Sequence, residues 1–441
     1  MNVGIITTWF ERGAAIVSRA YRDTLVTQHQ VYIYARGGEQ QGKGDSKWDQ
    51  EYVTWSELVL PQFSTYVDWQ HFRQWIAHNQ IKLLIFNEQI SWDVILRCLR
   101  LPLVLGAYVD YYTHRTIPFF QLYDFLLCNT KRHYGLFRSH PQALYLPWGT
   151  DCTLFQPQPS LSPPGTVTFF HSAGMGGIRL RKGTDLLVQA FQQVRGNARL
   201  VIHAQVGLAT FAPCAQLIQD DSRITFIEKT VPAPGLYHLG DVYVYPTRLE
   251  GIGLTIIEAL ACGLPVITTN AAPMNEFVLD GMTGKLVAVE RRQERPDGYY
   301  WPEGICSIPA LTAAMQFYVD NPAEISKQQQ RARAHALEHL DWARNSQELG
   351  KVVAQFARLE KPRSLRVAAG KYERAQLAEG HIAAAFAAHQ RGQFQDVVRH
   401  LAAGLSRNPA WLRDRGVWSI GFRALLRQRP PESYQATSEP R

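Results

Sequence analysis

The chain has 441 residues, of which 46% are hydrophobic and 19% charged, with 11 Trp and 19 Tyr. At roughly 100–200 residues per domain that is two or three domains, and a disordered chain, poor in apolar residues and rich in charge, is excluded. The formal net charge of +8 is uneven: residues 331–441 hold 19 Lys and Arg against 10 Asp and Glu, while residues 1–330 hold 27 against 28.

A basic tail of this kind can meet an anionic membrane surface, an acidic partner or nucleic acid, and it can equally be a solvated helical face. Cys98, Cys128, Cys152, Cys214, Cys262 and Cys306 form no Cys-x-x-Cys pair. That argues against a zinc ribbon or thioredoxin-like site and fits reduced thiols in a cytosol. Val3-Gly4-Ile5-Ile6 reads as a first strand, not a signal peptide, and no run approaches the roughly 18 apolar residues of a membrane span. A cytoplasmic location is expected, with peripheral contact at the inner membrane face left open.

Short apolar runs alternate with amphipathic stretches. Strands are predicted at 2–7, 31–35, 83–86, 103–105, 125–128 and 143–146, and helices at 14–27, 72–78, 92–99 and 131–138. Continuous apolar strands separated by helices argue a parallel sheet covered on both faces, a doubly wound α/β domain over 1–155. Gln156 to Gly165 carries four prolines and a glycine, which makes a stiff extended connector. A second series follows over 165–355, with strands at 167–171, 199–203, 224–227, 242–245 and 265–268 and helices at 183–195 and 255–262. Residues 325–356 are helical by pattern, Pro362 breaks the chain, and helices dominate from Gln376, giving a basic α-helical extension over 362–430. Within it, Ala385, Gly392, Phe394 and Pro409 sit at the offsets of one tetratricopeptide unit. Repeats need neighbours to bury their faces, so a lone hairpin packed on its parent domain fits a single copy better.

The segment from Tyr245 to Thr269 carries the most chemistry. A strand ends in a proline-marked loop, Gly251 and Gly253 permit close backbone approach to a ligand, and a helix starts near Thr255. Free N–H groups at such a helix start suit a diphosphate. Glu250 stands before the helix, and Glu258, inside its first turns, is placed to accept hydrogen bonds from ribose hydroxyls. The plain alternative is two surface glutamates beside turn glycines.

Glu250-Gly-Ile-Gly-Leu254 followed by Glu258-Ala-Leu-Ala-Cys-Gly-Leu-Pro-Val266 resembles the Glu-x7-Glu signature of the large retaining glycosyltransferase family 4, the glycosyl transferases group 1. Asp241–Pro246, Pro147-Trp-Gly-Thr-Asp151 with Phe155 and Pro157, and Glu276 to Gly284 are similar to further family segments, so the likeness covers roughly residues 1–355. It implies a GT-B fold: α/β, two doubly wound parallel-sheet (Rossmann-like) domains facing a cleft, acceptor on the first and donor on the second. Carried over, Glu250 lies near the donor sugar, Glu258 near the ribose, and the amides of Gly253, Leu254 and Thr255 hold phosphate oxygens. Lys182-Gly183 fits the family's Lys-Gly, and Lys182 would meet the leaving diphosphate. The usual upstream Gly-Arg is absent, because Met175 follows Gly174; Arg179 or Arg181 would supply that charge. Gly13, in Phe10-Glu-Arg-Gly13-Ala-Ala, resembles the loop facing the donor from the first domain. His114, with Asp110 second, is the candidate beside sugar and acceptor; the plain readings are a structural histidine and a turn glycine.

No Asp-x-Asp pair and no His/Cys cluster of metal spacing occurs in the sequence, so neither metal nor cofactor is expected. The implied function is a retaining, metal-independent glycosyltransferase that moves a sugar from a nucleoside-diphosphate sugar to a hydroxyl acceptor, which could be a glycan, a glycolipid or a small molecule. Sugar phosphorylase and non-catalytic scaffold on the same architecture are the alternatives. The basic extension would engage an anionic membrane or an acidic protein, and no nucleic acid is expected.

Overall fold

The computed structural model describes residues 1–36, 42–58, 60, 63, 65–175, 180–357 and 364–429. The apolar runs at the start form strands because each is flanked by helices that cover both faces of one sheet. The first unit contains β1 (Asn2–Thr7), α1 (Gly13–Leu25), β2 (Gln30–Ala35), β3 (Val53–Trp55), α2 (Trp69–His78), β4 (Leu83–Asn87), α3 (Trp92–Cys98), β5 (Val104–Tyr108) and β6 (Phe125–Cys128); next along the chain come α4 (Lys131–Phe137), nearly all of which belongs to the second unit, and β7 (Ala143–Tyr145), which closes the first sheet. The strands are ordered β3-β2-β1-β4-β5-β6-β7. Central Ile5 stands in register with Ile33 on one side and Ile85 on the other, all three fully buried. Asp68 caps α2, accepting from the N–H groups of Gln70 and His71. β3 was not expected; at three residues it is too short to show a period.

The second unit repeats the plan. β8 (Val167–Gly174), α5 (Thr184–Phe191), β9 (Ala198–Ala204), α6 (Ala215–Asp220), β10 (Ile224–Glu228), β11 (Val242–Tyr245), α7 (Leu254–Ala261), β12 (Val266–Thr269) and β13 (Gly284–Val287) build a six-stranded sheet ordered β10-β9-β8-β11-β12-β13. A two-stranded antiparallel ribbon follows, β14 (Val289–Gln293) with β15 (Glu303–Cys306), then α8 (Ile308–Asp320), α9 (Pro322–His339) and α10 (Trp342–Asn345). Phe169, Leu200, Ile202, Val244 and Ile267 from the sheet pack with Leu187, Phe191, Leu311 and Met315 from the covering helices in one core. In both sheets the chain reverses its lateral direction beside the first strand, the place where open α/β sheets bind ligands at their C-terminal edge.

The two compact units do not follow chain order. The first comprises residues 1–128, 137–144 and the described residues from 348 onward; the second comprises 129–136 and 145–347. Four helices return to the first unit: α11 (Leu349–Phe356), α12 (Ser364–Gln390), α13 (Phe394–Arg407) and α14 (Arg415–Leu425). Phe356 stacks on Phe125, ring centroids 4.7 Å apart. Ile382, Ala385 and Ala388 of α12, Val397 and Leu401 of α13, and Val417, Ile420 and Ala424 of α14 form a small core. Ala383 and Ala387 cover Leu58, Leu60 and Tyr66, and Arg391 pairs with buried Asp68 at 2.5 Å. The extension thus shares its apolar surface with the first unit.

Candidate active site

The site of the second unit grows from two loops that leave adjacent parallel strands. β8 and β11 pair directly, and each ends at the sheet's C-terminal edge. The loop after β11 runs from Pro246 to Gly253, where φ = +96° places Gly253 as the N-cap of α7. That left-handed conformation is one glycine adopts without penalty. The loop after β8 delivers Arg181 and Lys182 and turns into α5 at Gly183, φ = +75°. A Cβ on Gly183 would stand 2.1 Å from the Pro246 carbonyl oxygen, so glycine is what lets the two loops touch.

Glu250 is the hub. It is 7% exposed, and its Oε1 accepts from Lys182 Nζ at 2.9 Å, Tyr245 Oη at 2.9 Å and Thr247 Oγ1 at 2.8 Å. Arg181 Nη1 lies 3.3 Å from Oε2 and donates to the Leu249 carbonyl at 2.5 Å. Burial alone would raise the pKa of this carboxyl, but Arg181, Lys182 and the hydrogen bonds hold it down at about 2. Glu250 is therefore ionised at neutral pH, an acceptor of hydrogen bonds and not a proton donor. Burial pushes the Lys182 ammonium below its usual range, opposed by Glu250.

His171 holds this arrangement from beneath. Its Nδ1 lies 2.8 Å from the Val244 carbonyl, which only accepts, so that nitrogen carries the proton and Nε2 accepts from Thr184 Oγ1 at 2.9 Å. Burial keeps the ring neutral, with a pKa of about 4. β8, β11 and the start of α5 are thereby locked together two residues from Lys182.

Glu258 sits in α7, half-buried, with Tyr237 Oη donating to Oε2 at 2.6 Å; burial raises its pKa. The first turn of α7 presents the amides of Leu254 and Thr255 beyond Gly253. Gly251 is gripped from below: its carbonyl lies 3.2 Å from His133 Nε2, while Arg132 donates to the Glu250 carbonyl and, at 2.6 Å, to the Ala272 carbonyl. Glu276 in turn accepts from the amides of Lys131 and Arg132 at 2.6 and 2.8 Å. Trp301, from the ribbon connection, lies with its ring centroid 5.3 Å from the Arg132 guanidinium carbon.

The structure thus brings Arg181, Lys182, Glu250, Gly251, Gly253, Leu254, Thr255 and Glu258 into one region of the second unit. Gly13, Asp110 and His114 belong to the first unit: Gly13 opens α1 after β1, while half-buried Asp110 and exposed His114 lie in the loop after β5. Arg179 lies outside the described residues. Sequence reasoning missed His171, Tyr245, Thr247, Arg132 and His133. Tyr245 and Thr247 flank the motif and were open to detection; Arg132 is 118 positions from Glu250, and no local pattern marks it.

Among the described residues there is no group of three or more His, Cys, Asp or Glu able to hold a metal ion, and no helix is long and apolar enough to cross a membrane. The cations and amides gathered here are the chemistry of an anion site.

Residues 172–295 match the family described as glycosyl transferases group 1. The chain is 27% identical over 283 residues to the lipopolysaccharide core biosynthesis mannosyltransferase LpcC of Rhizobium leguminosarum bv. viciae, covering 60% of this chain and 75% of that protein. It is 26% identical over 187 residues to a GDP-mannose-dependent α-(1-6)-phosphatidylinositol monomannoside mannosyltransferase of Mycolicibacterium smegmatis, covering 40% of this chain but only 45% of that one. Among solved structures, HepE of Anabaena in complex with UDP-glucose superposes with a TM-score of 0.63 at 14% identity, over 80% of this chain and 100% of that one. The chain thus has the GT-B fold of two Rossmann-like units, and its residues 172–295 are similar to the glycosyl transferases group 1.

Proposed function

We propose that the protein is a retaining, metal-independent glycosyltransferase that moves a sugar from a nucleoside-diphosphate donor to a hydroxyl of a glycolipid or glycan. The observation that carries this reading is the buried, ionised Glu250 between Lys182 and Arg181, beside the open start of α7. A carboxylate held ionised at neutral pH is suited to accept hydrogen bonds from sugar hydroxyls. Two cations and free amides within reach of it suit the charge that grows on a departing diphosphate. Glu258 takes the ribose.

In the reaction the bond from C1 to the diphosphate oxygen breaks through an oxocarbenium-like state. A bond from the acceptor oxygen forms on the same face, and the acceptor's proton passes to a leaving phosphate oxygen. Lys182, turning from Glu250 to the diphosphate while Arg181 stays on that carboxylate, supplies the positive field that a metal ion supplies in other transferases. Asp110 and His114 are assigned to the sugar and acceptor, and Gly13 to the phosphates. The two relatives named above act, by their names, on lipopolysaccharide core and on a phosphatidylinositol mannoside, which favours a lipid-linked acceptor here.

Thermal denaturation against UDP, GDP and ADP and their glucose and mannose conjugates tests the donor assignment. A ligand at 100 times its Kd adds about 2.7 kcal/mol of stability. Stabilisation by one nucleoside diphosphate and its sugar is expected, with the donor's anomeric configuration kept in the product by proton NMR. Absence of any nucleotide effect, or inversion at C1, overturns the reading.

A further inference from the structure

Helix α14 is apolar on two sides. Val417, Ile420 and Ala424 point into the small core of the extension. On the other side Trp418, Phe422 and Leu425 are 61%, 66% and 74% exposed. Their spacing of four and three residues sets them in one stripe. Trp418 Nε1 donates to the Leu412 carbonyl at 2.6 Å, which pins the indole at the surface.

The charge around the stripe is predominantly positive. Arg413 and Arg415 at its start and Arg427 and Arg429 at its end are all exposed. From Arg391 to Arg429 there are eight arginines and two acidic residues. Both acids are engaged: Asp414 caps α14 through the Val417 amide, and Asp396 pairs with Arg399. A merely solvated helix gains nothing from three large apolar side chains in a row, because each costs hydration. Aromatic rings flanked by arginines fit the boundary between lipid headgroups and acyl chains, with the guanidinium groups reaching phosphates.

We propose that α14 docks the protein on an anionic lipid surface. This goes beyond the proposed reaction, and its test needs no donor or acceptor.

The full chain is sedimented with phosphatidylcholine vesicles holding about one third phosphatidylglycerol, and with pure phosphatidylcholine vesicles. Partitioning to the anionic vesicles is expected, weakening with salt as screening tightens. At about five-fold per arginine, the triple variant Arg413→Gln, Arg415→Gln, Arg427→Gln lowers it on the order of 100-fold. Trp418→Ser with Phe422→Ser lowers it at least about 10-fold. These side chains lie outside the core of the extension, so both variants stay folded and melt cooperatively, Trp418→Ser losing only the hydrogen bond to Leu412. Equal partitioning to neutral and anionic vesicles, or none to either at low salt, overturns the proposal. So does a dimer in sedimentation equilibrium that Trp418→Ser and Phe422→Ser abolish, since the stripe would then be a self-interface.

Discussion

Glu250 offers a prediction whose size follows from the geometry. Its carboxyl pKa falls from a usual 4.5 to about 2 on folding. A difference of about 2.5 pKa units corresponds to about 3 kcal/mol at 1.36 kcal/mol per unit. Because the folded pKa is the lower one, this stability is present in full above the unfolded pKa. It is lost as pH falls toward the folded value. Nearly half of it is gone at pH 3.5. Glu250→Gln keeps the shape but has no proton to take up, so that share of the acid destabilisation disappears. At about 2–4 °C per kcal/mol for a unit of some 200 residues, the drop in melting temperature from pH 7 to pH 3.5 shrinks by about 3–5 °C in the variant. The other titratable groups are common to both proteins, so the difference reads the Glu250 cluster. Differential scanning calorimetry at the two pH values measures it. Superimposable pH dependences would mean that Lys182 and Arg181 do not hold this carboxyl ionised, and the proposed role of Glu250 toward the sugar would fall with them.

Glu258→Ala weakens nucleoside-diphosphate binding by about 1–3 kcal/mol, the worth of a lost hydrogen bond to a charged group, as read by titration calorimetry; unchanged affinity removes Glu258 from the ribose. Arg132→Ala leaves the Glu250 and Ala272 carbonyls without their guanidinium donor, at about 1–3 kcal/mol for each buried group left unpaired. Melting temperature and kcat are expected to fall together, with nucleotide affinity nearly constant; a loss confined to nucleotide affinity would refute this support of the sugar-side loop. EDTA leaves the transferase rate unchanged, and a rate abolished by EDTA and restored by Mg²⁺ would refute the metal-independent reading.

The parts of this fold legible in the sequence are those whose physics is local. Strands such as Leu83–Asn87 and Val242–Tyr245 are buried on both sides, so their apolar runs are continuous and betray them. The ribbon strand Val289–Gln293 reads Val-Glu-Arg-Arg-Gln and is largely exposed, so no apolar signal marks it. Glu250, Lys182 and the glycines were legible because the anion site needs them at fixed offsets around two loops. His171 and Arg132 were not: each acts through a carbonyl far along the chain, and a carbonyl carries no sequence signature. The packing of the extension was hidden for a related reason, since small residues such as Ala383 and Ala387 look alike on any helix until their partner is known.

One departure from the family pattern acquires a physical sense. The arginine usually found after the glycine of the β8 loop is replaced by Met175. Arg181 stands instead between the Leu249 carbonyl and the Glu250 carboxylate, so Glu250 carries two cations. In the proposed reaction Lys182 turns toward the diphosphate. With a single cation that movement would leave a buried carboxylate unpaired, a loss of about 3–5 kcal/mol. Arg181 remains on the other oxygen, and Tyr245 and Thr247 still donate to the first. Glu250 then stays ionised for the sugar while Lys182 serves the phosphate, so the second cation lets one cluster meet both ends of the bond being broken.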